Sequence, residues 1–290
     1  MSNSYRDYAA VSKSYRDYRD CAMARVTTAT AALALLSLAA PARAEMSVEE
    51  LAKLSQNPVG NLISVPFQNN TNFNYGPLDG TQNILNIQPV IPITLNENWN
   101  IITRTIAPLI WQPAFVPGDS TVFGLGDMQV TAFLSPSTPH GLIWGVGAIA
   151  QLPTHTDSVL GNDNWGLGPS AVVLRLDKGS PWVYGVLVNN VWSVGTRNGA
   201  PSYNNGLIQP FVNYNFKGGT YLTSAPILTV NWEADSSDQW TVPLGGGVGH
   251  IFHLGKLPVN SQISAYYNAV KPDIGPEWQL RVQVQLMFPK

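Results

Sequence analysis

The sequence has 290 residues, of which 44% are hydrophobic and only 12% are charged. This charged share is about half that of an ordinary soluble globular protein, so there are too few charged side chains to cover a water-facing surface. A net charge of −2 gives no electrostatic footprint for nucleic acid, and a single cysteine excludes a disulfide framework or a CxxC metal site. Beyond the N-terminal region no apolar run reaches the about 20 residues of a helical membrane span.

The first 44 residues are expected to lie outside the fold. Residues 23–44 combine Arg25, an apolar stretch over residues 29–40 and an Ala-Arg-Ala sequence before residue 45, which is the layout of a secretory signal peptide. Residues 1–22 contain Ser-Tyr-Arg-Asp-Tyr twice and are interpreted as a non-native or disordered leader. The only cysteine, Cys21, would be lost with them, which suits an oxidising export compartment.

Residues 45–62 are predicted to form a periplasmic segment with one short helix. Ser47 and Glu50 have the spacing of a capping box, and Asn57 with the following proline ends the pattern, so the helix should cover residues 47–56. A lone amphipathic helix ahead of a barrel predicts either a plug in the lumen or a helix on the periplasmic surface. The sequence leaves both alternatives open.

Strand patterns follow one another from residue 63 to residue 290. In the last of them, apolar residues from Trp278 to Phe288 alternate with polar ones such as Gln279 and Arg281, which indicates a strand between two environments. Twelve strands are predicted, at about 63–75, 81–95, 99–111, 124–135, 142–153, 165–177, 181–194, 203–216, 220–233, 240–254, 259–271 and 277–289. An even number of long strands, joined alternately by tight turns and longer loops, predicts an all-β, antiparallel, up-and-down transmembrane β-barrel.

The tryptophans favour the same fold. Eight of nine lie at predicted strand ends, where membrane–water interfaces collect aromatic side chains: Trp99, Trp111, Trp165, Trp182, Trp192, Trp232, Trp240 and Trp278. Only Trp144 is placed nearer the middle of a strand. The alternative, a soluble β-sandwich with these aromatics in its core, would need far more surface charge.

The polar faces of the strands are expected to line the lumen, with the tight turns in the periplasm and the longer loops outside. Lumen candidates are Arg104, Asp127, Gln129, Gln209, Asn213, Gln279, Arg281 and Gln283. No ring of like charges, the usual sign of a strongly ion-selective pore, is visible among them. The lumen should therefore be polar and nearly neutral.

Several segments together resemble one known family. They are NPVGNLISVPFQNNTNF (57–73), TRTIAPLI (103–110), FGLGDMQ (123–129), WGLGPSAVVL (165–174), NNVWSVG (189–195), QPFVNYNF (209–216), WTVPLGGGVG (240–249) and PEWQLRVQVQ (276–285). The chain resembles a family of Gram-negative outer-membrane β-barrels catalogued as transporters of the phenol meta-pathway type, some of which are labelled neuromedin U. The resemblance implies a barrel and suggests transport, and it transfers no established functional residues.

The expected function is therefore a porin-like channel or transporter in the bacterial outer membrane, for small solutes that the family name suggests are hydrophobic or aromatic. A structural or interaction barrel without flux is the alternative. An enzyme is not expected, because His140, His155, His250 and His253 show no pairing with a nucleophile, and no catalytic, metal or cofactor residues are assigned. The expected partners are outer-membrane lipid, a small-molecule solute and the barrel assembly machinery, with no nucleic acid.

Overall fold

The computed structural model describes residues 46–137 and 141–289. The predicted leader (1–22), the predicted signal peptide (23–44) and His140 lie outside the described residues. In the part of the chain that is described, no helix is both long enough and apolar enough to cross a membrane.

Twelve antiparallel strands form one closed sheet, which confirms the predicted barrel. Each strand pairs with its neighbours in sequence, and the first and last strands close the barrel in a register that runs from Ile63 opposite Phe288 to Phe73 opposite Trp278. The strands are β1 (Ile63–Tyr75), β2 (Gly80–Ile87 and Val90–Thr94), β3 (Trp99–Gln112), β4 (Val122–Leu125 and Met128–Pro136), β5 (Leu142–Leu152), β6 (Trp165–Leu176), β7 (Trp182–Val194), β8 (Asn204–Asn215), β9 (Thr220–Ser224 and Leu228–Asn231), β10 (Trp240–Leu254), β11 (Leu257–Val270) and β12 (Trp278–Phe288). Among the described residues, a helix, α1 (Val48–Ser55), precedes the barrel, and a short 3₁₀ helix (Ser158–Leu160) lies in the β5–β6 loop.

Three strands are interrupted where the sequence predicts continuous ones. The breaks in β2 and β9 contain Pro89 and Pro226, which have no N–H to donate to a strand ladder. The break in β4 contains Gly126 and Asp127. The carboxylate of Asp127 accepts hydrogen bonds from backbone N–H groups of the β5–β6 loop, and this contact replaces regular strand pairing at the break. Main-chain groups at such breaks become available to the lumen, as the carbonyl of Ala225 shows by accepting from an arginine.

The two faces of each strand differ in polarity, with the apolar face outside. In β12, Arg281 and Gln285 are 3% and 5% exposed, whereas Val282 and Val284 between them are 40% and 41% exposed. An apolar exterior around a polar interior is the arrangement of a barrel that spans a membrane. The soluble sandwich is therefore the wrong interpretation of this sequence.

Tryptophans mark both ends of the apolar exterior. The predicted interface residues sit at or just beyond strand ends, and Trp165, Trp182 and Trp278 are among those that remain exposed. Trp144, which the sequence sets apart from the other eight, is the third residue of β5 and packs edge-on against Trp99, with ring centroids 5.9 Å apart. It therefore belongs to the aromatic belt at the tight-turn end, together with Trp99 and Trp182.

Candidate functional site: the lumen and its N-terminal plug

The segment before the first strand lies inside the tight-turn end of the barrel. Helix α1 begins at the capping box predicted from Ser47 and Glu50, in which each residue's side chain accepts from the other's backbone N–H. Leu51 and Ala52, both buried, pack in one cluster with inward-facing apolar side chains of the barrel: Tyr221, Ile251 and Met287. The surface-helix alternative is thus not what the structure shows, and we call residues 46–62 the plug.

Polar contacts fix the plug to two strands, β8 and β11, and to one turn. The side-chain amides of Gln56 and Asn215 donate to each other, at 2.9 and 3.1 Å. The hydroxyl of Ser55 accepts from the amide of Asn260 at 3.4 Å. At the rim of the tight-turn end, a Glu49 carboxylate oxygen accepts a hydrogen bond from the backbone N–H of Gly218 in the β8–β9 turn at 2.7 Å. This bond lowers the pKa of the Glu49 carboxyl group.

The tip of the plug extends further into the lumen. Val59 is 6% exposed and joins a cluster built from inward-facing residues of β3 to β8: Ile102, Phe133, Ile143, Val172, Leu174, Val183, Leu187 and Phe211. The barrel wall beside the plug therefore has an apolar floor on β3 to β8, and amide side chains such as Asn215 and Asn260 also contact the plug. Sequence alternation alone gave no sign of this apolar floor, because it depends on which strands meet across the barrel.

Above the plug the lumen contains cavities whose linings combine side-chain amides with apolar residues. Towards the external loops lies a vestibule of 770 Å³, and three smaller cavities of 70, 160 and 140 Å³ lie between it and the plug. Gln68 and Gln209 line all three smaller cavities, which makes them the centre of the narrow part. Such side chains can replace part of the hydration shell of a passing polar solute.

An amide chain stiffens the wall at the level of the vestibule. Gln279 on β12 donates to Asn72 on β1, which donates to Gln82 on β2, which in turn donates to Gln112 on β3, at 3.0, 2.8 and 2.7 Å. Because buried amides are costly when unpaired, this chain fixes their orientation. Sequence reasoning missed Gln68, Asn72 and Gln82, although residues 68, 70 and 72 are polar at the same period-two positions.

Two arginines carry the charge of the narrow part. The Nη2 of Arg104 donates to Gln88 at 2.6 Å. The guanidinium of Arg281 donates to Asn70, to the Ala225 carbonyl and to Gln279, at 3.1, 2.9 and 3.1 Å. It also stacks over the Tyr266 ring, 4.8 Å from the centroid. All of these partners are neutral.

The predicted lumen residue Asp127 lies at the external rim and anchors the β5–β6 loop. Its carboxylate accepts from the backbone N–H of Asn162 at 2.7 Å and contacts Nδ1 of His155 at 2.7 Å. The other ring nitrogen of His155 lies 3.2 Å from Asp163. Among residues 46–137 and 141–289 no cluster of ligands suited to a metal ion is found, and these three residues are a loop anchor.

The other predicted lumen residues face the interior at different depths. Gln129 lines the vestibule and the 70 Å³ cavity, Gln283 lines the 160 and 140 Å³ cavities, and Asn213 lines the 140 Å³ cavity. Gln279 acts within the hydrogen-bonded wall instead. Any role of these residues in transport stays a prediction.

Comparison with known proteins gives structural neighbours only. No protein-family model matches the sequence, and no curated protein does so either. The chain is similar to the COG4313 outer membrane channel from Pseudomonas putida F1, at 17% identity, covering 80% of this chain and 97% of that one with a TM-score of 0.59. Weaker similarity is found to the NanC porin (10% identity, 79% and 100% covered, TM-score 0.49) and to outer membrane phospholipase A from Escherichia coli (14%, 79% and 96%, 0.43). At such identities the first likeness supports the barrel fold, and the two weaker ones carry no argument about this chain.

Proposed function

We propose that the protein is a channel of the bacterial outer membrane through which small solutes pass. The observation that carries the proposal is the closed barrel with an apolar exterior, an interior lined by both amide and apolar side chains, and a 770 Å³ vestibule open towards the long loops. The solved structure with a TM-score of 0.59 is itself described as an outer membrane channel, which supports the same function. Outer-membrane lipid is then the partner of the exterior, and the barrel assembly machinery is the expected route of insertion.

In this proposal the plug sets the resting state. A solute that enters the vestibule meets cavities of only 70 to 160 Å³ and then the buried face of the plug, which includes Leu51 and Val59. Passage therefore requires the plug to shift or leave. Its contacts are a few apolar side chains and amide pairs, which is the scale of interaction that breaks locally without unfolding a barrel.

The solute class follows from the lining and from the family resemblance. The 70 Å³ cavity mixes amides with apolar groups from Phe133, Ile149, Leu187 and Leu207. Such a lining suits a small solute with both an apolar body and a polar group. The resemblance to barrels of the phenol meta-pathway type supports aromatic compounds as that class.

Catalysis is not part of the proposal. The ring of His155 contacts two carboxylates, and the Nδ1 of His250 lies 2.9 Å from the hydroxyl of Thr220. His250 is exposed on the β10 strand, away from the cavities described above. A hydrolase would need a nucleophile, a base and an orienting group in one accessible site.

A structural barrel without flux is the second candidate, and the docked plug is the observation that favours it. Single-channel conductance of refolded residues 45–290 in a planar bilayer separates the two functions. A channel gives discrete current steps, which deletion of residues 46–56 should make larger or longer. A folded barrel that stays silent with and without residues 46–56 would refute the channel and support the structural function.

A further inference from the structure

We propose that Arg104 and Arg281 make the middle of the lumen a binding site for a small organic anion, with a carboxylate as its charged group. The inference deepens the proposed channel function and rests on it. It goes beyond a neutral polar lumen, which is what the sequence indicates, because the structure places the two charges on different cavities that share lining residues such as Gln68 and Gln209.

Arg104 offers most of its hydrogen-bonding capacity to these cavities. A guanidinium has five N–H donors, and within residues 46–137 and 141–289 the acceptor found for Arg104 is the side chain of Gln88, bonded to Nη2. Arg104 lines both the 70 and the 160 Å³ cavities, together with Gln68 and Gln209. The remaining donors therefore face a space that can hold a ligand or water.

Arg281 adds a second positive charge whose protein partners are all neutral. Three of its donors are bonded to amide or carbonyl oxygens, so the guanidinium is held rigidly at 3% exposure, on the edge of the 140 Å³ cavity. The 140 and 160 Å³ cavities share Gln68, Gln209 and Gln283, so both arginines act on one stretch of the lumen.

No carboxylate balances these charges. Among the described residues that line the three small cavities, Arg104 and Arg281 are charged and none is acidic. Acidic groups occur in the vestibule, which Asp238 and Asp273 line, and at Asp127, which is engaged by the β5–β6 loop. A cation removed from bulk water without a counter-ion is costly, and an anion in the same space reduces that cost.

The chemistry of the lining selects the type of anion. The planar fork of a guanidinium matches a carboxylate in geometry and charge. Phe133, Leu187 and Leu207 line the same cavity as Arg104 and would receive an apolar body. The acidic groups of the vestibule disfavour polyanions, so a small monocarboxylate with an apolar or aromatic body fits best.

Ion selectivity tests the site through flux. With a KCl gradient across a planar bilayer, the reversal potential of the refolded chain should show preference for chloride over potassium. Arg104→Gln should reduce that preference severalfold, because it removes the accessible charge. Arg175→Gln is the matched control, since it removes the same charge from an exposed side chain paired with Asp177 near a tight turn. Equal permeability of the two ions, or equal effects of the two substitutions, would overturn the proposal.

Binding tests the site without flux. Benzoate and its neutral relative benzyl alcohol are titrated against the detergent-refolded protein by isothermal calorimetry. Benzoate should bind more tightly than benzyl alcohol. Arg104→Gln should weaken the binding of benzoate at least about tenfold and leave the binding of benzyl alcohol unchanged. Arg281→Lys keeps the positive charge but replaces the planar guanidinium by one ammonium group. Its affinity for benzoate should lie between that of the wild type and that of Arg104→Gln. An affinity for benzoate that is the same in Arg104→Gln as in the wild type would overturn the proposed site.

The two experiments also separate this inference from the channel function. Charge-dependent benzoate binding by a barrel that never conducts would refute the channel and retain the anion site. Conduction without anion preference and without benzoate binding would retain the channel and refute the site.

Discussion

Replacing Leu51 by alanine is expected to release the plug from the lumen. Leu51 is 1% exposed and packs against Tyr221, Ile251 and Met287 on the barrel wall. Because this side chain leaves the cluster whenever the plug leaves the barrel, the lost packing weakens the docked state and leaves the undocked state almost unaffected.

The size of the effect follows from the burial. Truncation of a fully buried leucine to alanine costs about 2–5 kcal/mol, which combines lost transfer energy with the cavity that remains. Since about 1.4 kcal/mol is a factor of ten, the ratio of undocked to docked plug should rise by about 30-fold at the lower end of that range. The barrel itself keeps all of its strand pairs, so the protein should stay folded.

A cysteine reporter on the plug measures this ratio. The single cysteine of the sequence is Cys21, so Ser55→Cys places one thiol in refolded residues 45–290. The thiol takes the place of a hydroxyl that contacts Asn260 inside the barrel. A polyethylene-glycol maleimide is too large to enter the docked barrel, so its labelling rate follows the undocked fraction.

The matched control is Leu222→Ala, which makes the same substitution on the lipid-facing side of β9, at a residue 52% exposed. Labelling of Ser55→Cys should accelerate about 30-fold or more with Leu51→Ala, and should not change with Leu222→Ala. Equal labelling rates with and without Leu51→Ala, in protein that keeps its heat-modifiable gel mobility, would refute the docked plug.

Three further results are expected. Asn215→Ala removes the amide pair with Gln56, each bond of which contributes about 0.5–1.5 kcal/mol, so labelling of the plug should rise by about fivefold at the lower end of that range. Val188→Arg places a charge on the lipid face in the middle of β7 and should lower the free energy of unfolding in liposomes by about 2–4 kcal/mol, measured by urea titration; no loss of stability would contradict the outward direction of this face. The Gly218 N–H holds the pKa of Glu49 below its ordinary value of 4.5, so its support of docking is present above that pH and is lost as the pH falls through the lowered pKa. Channel open probability should therefore rise on acidification in the wild type, and a Glu49→Gln variant with the same pH response would contradict this role.

Local patterns in the sequence carried much of the architecture. The period-two alternation in β12 defines both faces of that strand, and the spacing of Ser47 and Glu50 defines the start of α1. Neither needs knowledge of a distant residue, because strand pleat and helix capping act over two to four positions. The scarcity of charge then decides that the apolar face lies outside.

The strand breaks, and the depth at which each residue lies in the lumen, could be determined only from the folded barrel. The sequence placed Asp127 on the lumenal face, but only the structure shows that it is engaged by His155 and the β5–β6 loop at the rim. Trp144 is likewise assigned to the aromatic belt by its contact with Trp99, a residue 45 positions earlier in the chain. Such assignments depend on strand register and on the course of loops, which alternation does not encode.

The sequence by itself determined that this chain makes a membrane barrel with a polar interior, because alternation and low charge are properties of neighbouring residues and of composition. Tertiary structure decided what fills that interior. The plug reaches Asn215 from Gln56 across 159 positions, and Arg104 and Arg281 come to line one stretch of lumen from opposite parts of the chain. Closure of the sheet brings these groups together, and closure fixes the position of every inward side chain relative to all the others.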